Sequence, residues 1–141
     1  MLTKLDDTQE LEVLAVLRTL KQVVEEAGDD YVYHHKIRPD HPDTGKGCWY
    51  VDPEGKNPDC IVGRVLFRLG VPLDTLRRFE GIMASGLPSL EINGAIPLHR
   101  PALHVLGVAQ GIQDTGGNWG DARDAALLSA YQNYGIKGAN K

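Results

Sequence analysis

Near the start of the chain, Val13, Val16, Leu17, Leu20, Val24 and Ala27 fall three and four residues apart and end at Gly28. That spacing lines one face of an amphipathic helix and predicts a helix over residues 5–28. Asp7 and Glu10 have the spacing of a capping box at its start. The opposite face, with Glu12, Arg18, Lys21, Gln22 and Glu25, reads as a solvated surface. A single domain must bury such an apolar stripe, so an internal core is the expected use, the alternative being a partner-binding or dimer seam.

From 29 to 59 the periodicity breaks. Tyr31, Val32 and Tyr33 form one short strand-like piece and Cys48, Trp49, Tyr50 and Val51 another, separated by prolines and glycines. The rings of this segment are expected to pack on the helices, the alternative being a binding surface.

Residues 60–80 return to helical spacing. Ile61, Val62, Val65, Leu66 and Leu69 make one face, with Arg64 and Arg68 on the other. Pro58 and Asp59 offer a start, and Gly70 supplies the left-handed conformation that ends a helix. Pro72 presets the next start, after which Leu76 and Phe79 point inward and Asp74, Arg77 and Arg78 outward. Two short helices joined at a glycine follow, over about 60–69 and 73–80.

The run Gly63, Val65, Gly70, Val71, Thr75, Leu76, Arg77, Phe79 and Glu80 resembles the helix-turn-helix of MerR-type transcription regulators, over 62–80 only. The resemblance implies double-stranded DNA as partner, with the second helix in the major groove. It places Thr75, Arg77 and Arg78 at phosphates and base edges, with Arg64 and Arg68 near the backbone. Pro72 stands where that family has a serine cap, Asp74 puts a negative charge on the same face, and Asn93 and Gly94 would turn a following wing.

Further on, Pro88 to Pro101 with Asn93-Gly94 suggests a hairpin or extended loop around Leu90, Glu91, Ile92, Ala95 and Ile96. A helical hairpin spans 100–132. Leu103, Leu106, Val105 or Val108, and Ile112 are the buried face of its first helix, and Ala122, Ala125, Ala126 and Ser129 form a small face that favours close approach in its second. Gln110, Gln113, Asp114, Asn118, Trp119 and Asp121 then meet at one end, where turn chemistry accounts for each and a small ligand is the alternative use.

Composition fits this picture. With 141 residues, 42% of them hydrophobic, the chain suits one domain, 1–141. No apolar run approaches the roughly 20 residues of a membrane span, and the first residues lack the apolar stretch of a secretory signal, so the expected compartment is the cytoplasm. Two cysteines, Cys48 and Cys60, are too few for a disulfide framework. His34, His35, His41, Cys48 and Cys60 are zinc-ligand types without zinc-site spacing, so no metal and no cofactor is expected. Residues 43–47 have phosphate-loop residue types but not the spacing, and Cys60 at a helix start has no evident base beside it. The chain carries a net charge of −4, so DNA binding demands a segregated basic face. Between 60 and 80, four arginines against Asp74 and Glu80 leave +2.

The spacing of Cys48, Pro58, Cys60, Val62 and Gly63, with the turn at Gln113, Asp114, Trp119 and Gly120, is also similar to small uncharacterised proteins of actinobacteria and their phages. That resemblance implies a host-takeover or anti-defence role that binds a host protein, DNA or a signalling nucleotide. The expectation is a mainly α single domain of about five helices with a minor β-hairpin, and a non-enzymatic DNA-binding regulator. The alternative is an interaction module for a host protein or small nucleotide; the oligomeric state stays open, a dimer included.

Overall fold

Among the described residues, five helices pack around one core: α1 (Asp7–Ala27), α2 (Ile61–Arg68), α3 (Leu73–Arg78), α4 (Arg100–Asp114) and α5 (Trp119–Tyr134). A computed structural model describes residues 2–34, 49–52, 54, 56–78 and 98–137. The expected hairpin around Asn93-Gly94, the turn at 43–47, His35, His41, Cys48, Phe79 and Glu80 lie outside the described residues.

The capping box of α1 sits one residue earlier than the sequence suggests. Asp6 has the extended backbone of a cap (φ −77°, ψ 172°), its carboxylate accepts from the Gln9 N–H at 2.8 Å, and the Gln9 side chain accepts from the Asp6 N–H at 3.2 Å. Asp7 and Glu10 instead occupy the first turn, where the positive end of the helix dipole favours carboxylates. Val13, Val16, Leu17, Leu20 and Val24 are buried as the spacing requires, with Val23 added to them.

The inner stripe of α1 packs on α5, α4 and α2. α4 and α5 form a helical hairpin, closed by a Schellman motif in which Gly116 N–H donates to Gln113 O (3.1 Å) and Gly117 N–H to Ile112 O (2.9 Å). Asn118 then caps α5, its side chain accepting from Asp121 N–H at 2.7 Å. Ala122, Ala126, Ser129 and Ala130 are buried, which lets the two backbones approach closely.

The expected strand-like pieces appear as two isolated antiparallel bridges, Val32 with Asn118 and Val51 with Pro58. Tyr33, Trp49 and Tyr50 are buried and Tyr31 is half-buried, so these rings complete the core. One solvated position proves otherwise. Glu12 reaches the start of α4, where its carboxylate accepts from the His99 N–H at 2.6 Å and meets His99 Nδ1 at 2.8 Å. No described helix is long and apolar enough to cross a membrane.

Candidate nucleic-acid interface and the polar end of the helical hairpin

The α2–α3 unit begins at Cys60, not at Asp59 as the sequence suggests. Cys60 Sγ accepts from the Gly63 N–H at 3.5 Å, while the buried Asp59 carboxylate accepts from Tyr33 OH at 3.1 Å. Backbone pairing explains the shift: Asp59 N–H donates to Tyr50 O (2.9 Å) and Cys60 N–H to Trp49 O (3.0 Å), so the chain is still extended at Asp59. Gly63 lies against that segment, because a Cβ there would stand 2.1 Å from Tyr50 O.

α2 ends as the sequence requires. Gly70 has φ +100°, its N–H donates to Phe67 O (3.1 Å), and Val71 N–H donates to Leu66 O (3.0 Å). This Schellman motif places buried Val71 beside buried Leu66, and α3 starts two residues later with Leu76 as its buried anchor.

The five residues assigned to DNA separate into two groups. On α3, Arg77 and Arg78 are exposed, Thr75 is half-buried, and Asp74 shares the surface. On α2, Arg64 and Arg68 turn back onto the protein. Arg64 Nε donates to Asp59 O at 3.0 Å, and its guanidinium carbon stands 4.9 Å from the Trp119 ring centroid and 5.8 Å from that of Tyr31. Arg68 pairs with Glu26 of α1. Their hydrogen bond holds the Glu26 carboxyl below its usual range and pushes the Arg68 guanidinium up.

The six polar and aromatic residues of the hairpin end do converge, but largely inside the core. Gln110, Gln113 and Trp119 are buried, Asp114 and Asn118 are half-buried, and Asp121 is exposed. Gln113 Oε1 accepts from the Ile61 N–H at 2.9 Å, and its Nε2 donates to Asp114 at 3.0 Å. The side chain thereby satisfies one of the orphan donors at the start of α2 and ties α4 to it. Trp119 N–H donates to Tyr31 O and Gly120 N–H to Asp29 O, both at 2.8 Å, and Arg123 grips Asp29 with two bonds of 2.9 and 3.1 Å. Residues 29–31 thus cover the end of the hairpin. Trp119 Nε1 is buried there and has no hydrogen-bond partner among the described residues, with Tyr31 edge-on at 4.6 Å.

Among the described residues no group of three or more metal-ligating side chains converges. His34 is exposed, and Cys60 is a buried cap. Surface clefts also lie between described residues. One, of 410 Å³, runs between the end of α1, residues 57–58 and α2; another, of 520 Å³, lies where residues 3–5 pass α4 and the end of α5. Sequence reasoning missed the first, since Glu26 and Arg68 stand far apart in the chain. A signal for Gln113 did exist: Leu103, Leu106, Gln110 and Gln113 share one helical stripe, and an amide on an apolar stripe marks a buried hydrogen bond.

No protein-family model matches this chain, and comparison with curated proteins and with solved structures gave no significant match.

Proposed function

We propose that the protein is a non-enzymatic DNA-binding regulator that meets double-stranded DNA with α3, through Thr75, Arg77 and Arg78. The observation that carries this reading is the exposed Arg77-Arg78 pair at the end of a short helix anchored by Leu76 and positioned by the Gly70 turn. The contact set is smaller than the helix-turn-helix resemblance implies, because Arg64 and Arg68 are engaged with Asp59, Trp119, Tyr31 and Glu26.

Each arginine on a phosphate releases counterions, so affinity for any duplex should fall steeply with salt. Fluorescence anisotropy on a random-sequence duplex at low ionic strength tests this. Replacing both Arg77 and Arg78 with Ala should weaken binding and lower the salt slope by about 2, while Asp74→Asn strengthens non-specific binding. A folded sample that retains no duplex at low salt rejects the reading.

A second reading, an interaction module for another protein, is favoured by Leu128 and Tyr131, which lie one turn apart on α5 and are 54% and 49% exposed. It predicts no duplex retention and indifference to the α3 substitutions.

A further inference from the structure

We propose that the cleft between α1 and α2 is a binding site for a small anion that carries a flat ring, of the nucleoside monophosphate class. This inference goes beyond the DNA reading and uses a different surface. The cleft has a volume of 410 Å³ and is lined by Val23, Glu26, Asn57, Pro58, Arg64, Phe67 and Arg68. Ligand pockets run from roughly 300 to 1,000 Å³, so a molecule of that class fits the space.

Arg64, Phe67 and Arg68 stand three and four residues apart on α2, so they share one helix face. Arg64 is the prearranged member. Its Nε donates to Asp59 O and its guanidinium carbon stands 4.9 Å from the Trp119 ring centroid, while its Nη nitrogens donate to no protein group among the described residues and are not among the buried unpartnered atoms. A guanidinium held at Nε and packed against an aromatic ring in the wall of a cleft is suited to two-point recognition of a phosphate or carboxylate. Phe67 is 43% exposed beside it, an apolar ring on which a base can stack.

The position of the anion is already marked by a side chain. The Glu26 carboxylate hydrogen-bonds Arg68 and feels the charge of both Arg68 and Arg64. It stands in the last turn of α1, which contains no basic residue and where the negative end of the helix dipole disfavours a carboxylate. Being exposed, Glu26 can swing into water when a stronger anion arrives. A phosphate with more charge and more acceptor oxygens would replace it on Arg68 and also reach Arg64, and the ring of the ligand would lie on Phe67. Glu26 is the one acidic residue among the described residues of the cleft wall, and it therefore opposes ligand entry until it is displaced.

Isothermal titration of the full chain with AMP, inorganic phosphate and adenosine at low salt tests this, with circular dichroism to confirm that each variant is folded. AMP should bind one to one, more tightly than phosphate or adenosine. Arg68→Ala should weaken AMP about tenfold through loss of charge-assisted hydrogen bonds. Phe67→Ala should bring AMP close to phosphate, and Glu26→Gln should tighten AMP severalfold. Arg64→Lys, which keeps the charge and loses the fork, should also weaken binding. Arg77→Ala should leave AMP binding unchanged, which separates this site from the DNA surface. No saturable heat with AMP at millimolar concentration, or AMP affinity indifferent to both Arg68→Ala and Phe67→Ala, overturns the proposal.

Discussion

Gly63→Ala and Gly111→Ala are the same chemical change in two helices of this protein, and the structure assigns them opposite signs. At Gly63 the new methyl would stand 2.1 Å from Tyr50 O and 2.8 Å from Tyr50 C and Cα, all backbone atoms that cannot rotate away. Tyr50 O accepts the Asp59 N–H, so any retreat of residue 50 strains the pairing that starts α2. Overpacking costs about 1–3 kcal/mol and a lost internal hydrogen bond about 1, against about 1 gained from replacing glycine in a helix, for a net loss near 2 kcal/mol. In a domain of this size that corresponds to a midpoint lower by roughly 8 °C. At Gly111 a Cβ meets nothing within 4 Å, so only the helix preference remains, a gain of about 0.5–1 kcal/mol. Urea unfolding followed by far-UV circular dichroism measures both. If Gly63→Ala matches or exceeds the wild type in stability, α2 does not lie against the Tyr50 backbone and the packing described here is wrong.

Other expectations concern the tethers around the helix ends. Gln113→Leu keeps the volume but leaves the Ile61 N–H without its acceptor, and should cost about 1–3 kcal/mol in the same unfolding experiment. The Asp29 and Glu26 carboxyls are held below their usual range chiefly by hydrogen bonds from Arg123 and Arg68. Their contribution is therefore present above the ordinary carboxylate range and lost as pH falls through the lowered folded values, so the midpoint difference between the wild type and an Asp29→Asn, Glu26→Gln variant should shrink on acidification and with added salt. A difference that grows at low pH contradicts this sign. Cys60 should resist iodoacetamide in the native protein and react only in denaturant, as read by peptide mapping, because its sulfur is buried under the first turn of α2.

The helices were legible because apolar spacing and glycine both report local geometry. The stripe from Val13 to Val24, the stop at Gly70 and the hairpin turn at Gly116 and Gly117 are all set by residues within a few positions of one another. What the sequence left hidden is long-range pairing. Nothing local in the sequence marks Arg68 as the partner of Glu26, which stands 42 residues earlier on α1. Asp59 resembles a helix cap until Tyr33, 26 residues away, takes its carboxylate. Turn residues mark the end of the helical hairpin in the sequence but not its depth, since Gln113 finds its partner across the fold at Ile61, 52 residues distant.

Nitrogen-15 chemical-shift mapping with a short random duplex tests the DNA-binding reading most directly, because it reports where contact occurs as well as whether it does. If α3 meets DNA, shifts concentrate on Thr75, Leu76, Arg77 and Arg78 and diminish with added salt, with the amides of α5 and of the Gln113–Ile61 tether unmoved. An unchanged spectrum at low ionic strength, or shifts centred on Leu128 and Tyr131, contradicts it.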